Sequence, residues 1–205
     1  EDIPGSALSE GVPWGAWESF PEYLDFLGQR SYALDIGAQL AHGALRFNVM
    51  GERGVRNEDA TDADIAAMRR LVAEAVDAGA VGFSTSRTIF HRSLDGSAVP
   101  GTYATANELR ELAKGMEDGG GAVFEAITSE SIGDLEMFGG ERFSQRHELD
   151  LLADISRTTG QKITFTTVQN RDRPQDWREV LDFVTEHNAA GTKLYPQVAS
   201  RPIGL

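Results

Sequence analysis

The sequence predicts an α/β fold built from parallel βα repeats. Two observations carry this. Short apolar runs alternate with amphipathic segments whose apolar residues recur at three- and four-residue steps. In addition, four helix-to-strand junctions place a glycine at the helix end and begin the strand within about two residues. Strands joined by helices run parallel, so they must be covered on both faces or closed into a barrel.

The elements follow in order. A short helix over Pro21–Leu27 precedes a first strand at Tyr32–His42. Asp62–Ala78 forms a helix with Ile65, Met68, Leu71, Val72, Ala75 and Val76 on one face. Thr61 is its N-cap and Gly79 its left-handed stop. The second strand is Ala80–Thr85, followed by a long loop, Ser86–Tyr103. Thr105-Ala106-Asn107-Glu108 opens the next helix with a capping-box pattern. The third strand is Ala122–Ile127. A helix at Gln145–Thr159 buries Leu149, Leu152 and Ile155. The fourth strand is Lys162–Val168. A last helix starts near Pro174, burying Trp177, Val180, Leu181 and Val184, and leads to a fifth strand at Thr192–Val198.

Five such strands suit an open doubly wound sheet or a piece of an eight-stranded βα barrel, which usually needs about 250 residues. The chain has 205. No glycine-rich phosphate loop follows the first strand, which ends Gln39-Leu40-Ala41-His42-Gly43-Ala44. That favours the barrel. Glu1 in place of Met and an end just after a strand fit an internal piece of a longer polypeptide.

Composition narrows the function classes. The formal charge is −13 and no Lys/Arg cluster is present, which argues against nucleic-acid binding. No apolar run approaches the about 18 residues of a membrane span. The absence of cysteine excludes a disulfide framework, a Cys-type zinc site and a cysteine nucleophile, and it fits a reducing, cytoplasmic compartment.

In either architecture chemistry sits at the carboxyl ends of the strands. That rule selects His42, Ser84, Thr85, Ser86, Glu125, Thr128, Thr167, Gln169, Gln197, Ser200 and Arg201. Glu125 lies inside the apolar run Val123–Ile127, where a carboxylate is costly unless it is paired or used. His42 can act as a ligand or base, or bond the backbone at a strand end. Ser84-Thr85-Ser86 lacks a nucleophile elbow, so these hydroxyls suit capping or substrate binding. The loop Ser86–Tyr103 carries Arg87, His91, Arg92 and Tyr103, which can meet an anionic substrate or form solvated surface. No H-x-H or H-E-x-x-H spacing occurs.

Ala41-His42-Gly43-Ala44-Leu45-Arg46, then Val49-Met50, the strand Ala80-Val81-Gly82-Phe83-Ser84-Thr85 and the helix start Thr105–Leu109 appear in an ordered series. In that order and spacing the chain, from about Gly11 to its end, resembles the N-acyl-D-amino-acid deacylase branch of the amidohydrolase superfamily. The resemblance implies strands three to seven of a (β/α)8 TIM-type barrel, with residues 1–205 a partial barrel domain. It implies a hydrolase of non-peptide C–N bonds, acting through metal-activated water on a small-molecule amide or N-acyl amino acid. Zinc would be held mostly outside this chain, by an H-x-H or H-x-D strand before Glu1, with a catalytic Asp beyond Leu205.

The family places a His at the ends of strands five and six. The matching stretches here, Phe124–Thr128 and Phe165–Gln169, contain none. Glu125 can replace one ligand by a carboxylate and is the catalytic candidate. His42, Ser84, Thr85, Arg87, Thr167, Gln169 and Arg201 are the substrate-binding candidates, and Arg46, Arg87 or Arg201 would meet a substrate carboxylate. Two alternatives stand beside this reading: a catalytically silent barrel that binds a ligand or partner, and a complete open-sheet domain that binds a small anion.

Overall fold

The computed structural model describes residues 5–88, 90–128, 144–170 and 173–198. Two short helices, α1 (Gly5–Gly11) and α2 (Phe20–Gly28), precede the first strand, β1 (Gln39–Ala41). Then come α3 (His42–Met50), α4 (Glu52–Val55), α5 (Asp62–Asp77), β2 (Gly82–Ser86) and α6 (Ala106–Asp118). The chain continues with β3 (Val123–Ile127), α7 (Gln145–Thr159), β4 (Lys162–Thr166), α8 (Asp176–Ala189) and β5 (Leu194–Gln197).

The five strands are parallel, and their order in the sheet is their order in the chain. A doubly wound sheet reverses its strand order at a switch point. This sheet has no reversal, so the chain is singly wound, as in a βα barrel.

Residue parity makes the same distinction. Leu40, Phe83, Phe124, Ile163 and Leu194 fall in one row of the register. The last four are fully buried, and Phe83 and Phe124 meet with ring centroids 5.3 Å apart. They pack with Met68, Val72, Leu109, Leu112, Met116, Leu152 and Ile155 from the helices. In the rows of opposite parity, among them Ala41-Ser84-Glu125-Thr164-Tyr195, every residue but Gly82 is half-buried or exposed. One face of the sheet is therefore core and the other is open.

The strands are shorter than the sequence suggests. The strand expected at Tyr32–His42 shrinks to Gln39–Ala41, with Leu34 and Ile36 79% and 53% exposed. Its last residue, His42, starts a helix instead. His42, Leu45, Arg46 and Met50 form the buried stripe of α3, a helical spacing present in the sequence but obscured by the apolar run before it. In α8, which starts at Asp176, Val180 and Val184 are buried as expected, but Trp177 is only half-buried and Leu181 is 41% exposed, and Phe183 is buried instead.

Helices α5 and α6 lie against each other through small residues. A Cβ on Gly115 would stand 2.6 Å from the Arg69 carbonyl oxygen and 3.2 Å from Val72 Cβ. The backbone cannot yield there without separating the two helices. Gly115→Ala is expected to destabilise the protein by about 1–3 kcal/mol, read from urea unfolding midpoints. An unchanged midpoint would show that the helices are not held this closely.

Candidate functional site

The strand ends separate into two groups, one sealed behind the sheet and one on its open face. The sealed group centres on Glu108. Thr105 caps α6 by accepting the Glu108 backbone N–H at 3.2 Å. The expected capping box is only half formed, because the Glu108 side chain does not return to Thr105. It turns inward and accepts from His42 Nε2 at 2.8 Å and from Arg46 Nη1 at 2.6 Å. Arg46 Nη2 donates to the Glu58 carbonyl. The other ring nitrogen of His42, Nδ1, lies 2.9 Å from Thr85 Oγ1. His42, Arg46 and Glu108 are each about 1% exposed or less.

Chemistry fixes the protons in this chain of contacts. A carboxylate can only accept, so His42 Nε2 carries hydrogen, and in the neutral ring Nδ1 then accepts from the Thr85 hydroxyl. Burial is the largest influence on His42 and pushes it below the ordinary 6.5, opposed by the Glu108 hydrogen bond and charge. For Glu108, burial pushes upward, but the hydrogen bonds from His42 and then Arg46, with the Arg46 charge, outweigh it and hold the carboxyl low. Neutral imidazole and ionised carboxylate are mutually consistent, and Arg46 supplies the countercharge.

A second buried pair lies beside the first. Arg87 donates to Glu148 on α7 through Nε and Nη2, at 2.7–3.0 Å, and to the Ala104 carbonyl through Nη1. Thr167, just past the end of β4, is also buried on this side, and among the described residues its hydroxyl has no hydrogen-bond partner.

The open face carries Glu125. Its Oε2 accepts from Gln39 Nε2 at 2.7 Å. That bond crosses β2 at Gly82, where a Cβ would lie 3.4 Å from Gln39 Cδ and would strike the Val123 carbonyl oxygen. Ser84 sits in register beside Glu125, with Thr164 on its other side. Two residues beyond Ser84, Ser86 Oγ lies 2.6 Å from His91 Nδ1.

The expected pocket lined jointly by Glu125, His42, Thr85 and Thr167 is therefore corrected. Successive residues of a strand face opposite ways, so Ser84 and Thr85 are neighbours in sequence but on different sides of the sheet. Ser84 joins Glu125, whereas Thr85 joins His42 among the helices. Arg46 and Arg87, expected to meet a substrate carboxylate, are committed to buried carboxylates. Gln169 is exposed and donates to the Pro174 carbonyl at 3.3 Å. Ser200 and Arg201 lie outside the described residues. The Glu108 network was missed because its partners are 62 and 66 positions apart. The readable signal was the pairing of His42 and Arg46 on one helical stripe, which demands a buried acceptor.

Among the described residues no group of three or more His, Asp or Glu could hold an ion. Glu125 is the one carboxylate on the strands' open face, and one of its oxygens already accepts an amide. Both nitrogens of His42 are engaged. The described residues do not by themselves fit a metal.

Comparison with known proteins bears on this arrangement. Residues 12–194 match the family described as "Amidohydrolase family". A D-aminoacylase of Alcaligenes xylosoxydans xylosoxydans is 29% identical over 201 residues, 96% of this chain and 37% of that protein. An N-acyl-D-glutamate deacylase from Bordetella bronchiseptica, solved with zinc and a phosphonate mimic of the tetrahedral intermediate, superposes with a TM-score of 0.71 at 22% identity. That match covers 98% of this chain and 38% of the other. A D-aminoacylase structure gives 0.70 at 19% identity with the same coverage. The chain thus spans somewhat over a third of the proteins it resembles.

Two stability predictions follow from the sealed network. Glu108→Ala leaves Arg46 buried without its countercharge and is expected to cost about 3–5 kcal/mol, measured by chemical denaturation. A loss below about 1 kcal/mol would mean the network is solvated. The depressed His42 adds a pH dependence. The unfolded ring binds a proton below about pH 6.5 and the folded ring resists it, so His42 contributes stability above that pH and loses it on acidification. Thermal melts between pH 7.5 and 5.5 are expected to show a decline that His42→Gln flattens; equal slopes would refute the assignment.

Proposed function

The chain belongs to the amidohydrolase family, and from that premise we propose that the protein containing it hydrolyses the amide bond of N-acyl amino acids, in the manner of an N-acyl-D-amino-acid deacylase. The carrying observation is Glu125. It is half-buried at the centre of the open face, oriented by Gln39 and flanked in the register by Ser84 and Thr164, on a strand whose carboxyl end is where barrel enzymes do their chemistry.

Glu125 accepts a proton from the attacking water in this reading, while the neighbouring hydroxyls bond the substrate's polar atoms. The Gln39 amide fixes one carboxylate oxygen and leaves the other for that water. The zinc implied by the family resemblance would be held mostly by residues outside this chain, since the described residues do not form a site for one. Absence of cysteine supports a reducing, cytoplasmic setting. No helix among the described residues is long and apolar enough to cross a membrane.

The test uses the whole protein, purified without chelator and assayed for release of free amino acid from N-acyl-D-amino acids. Glu125→Gln keeps size and hydrogen bonding but removes the base, and turnover is expected to fall about 100-fold or more with zinc content unchanged. Full activity in the variant would remove Glu125 from the reaction. Loss of zinc would make it a ligand instead of a base.

A further inference from the structure

We infer that the cavity at the carboxyl tips of β4 and β5 is a binding site for a small neutral molecule with an apolar body and one hydrogen-bonding atom, such as an aliphatic alcohol. The inference goes beyond the amide-hydrolase reading and does not depend on it.

The cavity has a volume of about 370 Å³, within the range of small-molecule sites, about 300–1,000 Å³. Among the described residues it is lined by Thr167 and Val168 just past β4, Trp177 and Leu181 of α8, and Pro196 and Val198 at the tip of β5. Phe165 and Pro196 are register partners, and Phe165 is buried on the helix-facing side of β4 with Ile163. Thr167 follows two residues later, so its side chain turns the same way. The cavity therefore lies between the sheet and the first turns of α8, on the side opposite Glu125.

The seating of α8 explains why this space is left. The helix buries Val180, Phe183 and Val184. Trp177 and Leu181 fall beside that stripe, half-buried and exposed, and they border the cavity instead of filling it. Trp177 is held in place from outside, since the Arg178 guanidinium lies over its ring at 4.2 Å from the centroid. Arg178 Nε in turn donates to Gln175 Oε1 at 2.9 Å.

One buried polar group faces this apolar wall. Thr167 is 7% exposed, and its backbone N–H is fixed on the Gln197 carbonyl at 2.8 Å. Among the described residues its hydroxyl has no hydrogen-bond partner. Gln169, at the rim, is exposed and donates its amide to the Pro174 carbonyl. A buried hydroxyl left unpaired costs free energy. Water is a poor remedy here, because an ordered water needs several polar partners and these walls are mainly carbon. A molecule with an apolar body and its own donor or acceptor relieves both costs. It removes the Trp177, Leu181, Pro196 and Val198 surface from water and pairs with the Thr167 hydroxyl, which can donate or accept. No charged residue is among the described lining residues, so nothing there compensates an ionic ligand.

The test titrates the whole protein with 1-octanol and follows tryptophan fluorescence. A saturable change is expected, and Trp177→Phe is expected to abolish it. Thr167→Val keeps the shape and removes the hydroxyl; octanol affinity is expected to fall about tenfold, while the urea unfolding midpoint stays level or rises. Leu181→Glu places a charge at an exposed position of the wall and is expected to prevent saturable binding without loss of fold. A linear, non-saturating response, or one that survives in Trp177→Phe, would overturn the inference. So would unchanged octanol affinity in Thr167→Val. A lowered midpoint in that variant would show that the hydroxyl already has a partner within the protein, and would overturn it as well.

Discussion

The Glu108 carboxylate is the constraint on which the rest of the structure depends. It sits in the first turn of α6 and takes hydrogen bonds from two residues of α3, one of which is bonded in turn to β2. Removing a carboxylate and a guanidinium from water costs several kcal/mol each, and only close pairing recovers it. Neither Arg46 nor Glu108 can be buried without the other. Helices α3 and α6 and strand β2 are therefore fixed at one mutual distance, and the fold that satisfies the charge is the fold that places the β2 strand end.

The sheet divides labour by parity. Residues facing the helices are apolar or tied into ion pairs, and they carry stability. Residues facing the other way are mostly partly exposed, and Ser84, Glu125 and Thr164 among them are the ones proposed to carry the chemistry. Adjacent hydroxyls can thus have unrelated roles: Thr85 satisfies His42, while Ser84 borders Glu125. Gly82 links the two roles, since its missing side chain lets Gln39 pass across β2 to Glu125.

Order reaches the loop after β2 from the same centre. Gly101 packs on the His42 ring, and Asn57, just beyond the short helix α4, holds the loop's return arm. The sealed His42 is thereby tied to the loop that carries His91.

The sequence by itself determined the alternation of helices and parallel strands. Periodicity and glycine stops are local, and a helix such as Gln145–Thr159 has the boundaries its pattern announces. It also marked Glu125 as unusual, because a carboxylate within an apolar strand is visible without a structure. Tertiary structure alone decided which side of each strand faces the helices, since alternation supplies two faces but not their environments. It also decided that Glu108 completes a buried ion pair rather than a capping box. The competing partners lie three residues away in one case and more than sixty in the other. Local rules see only the first, while the free energy of a buried arginine selects the second.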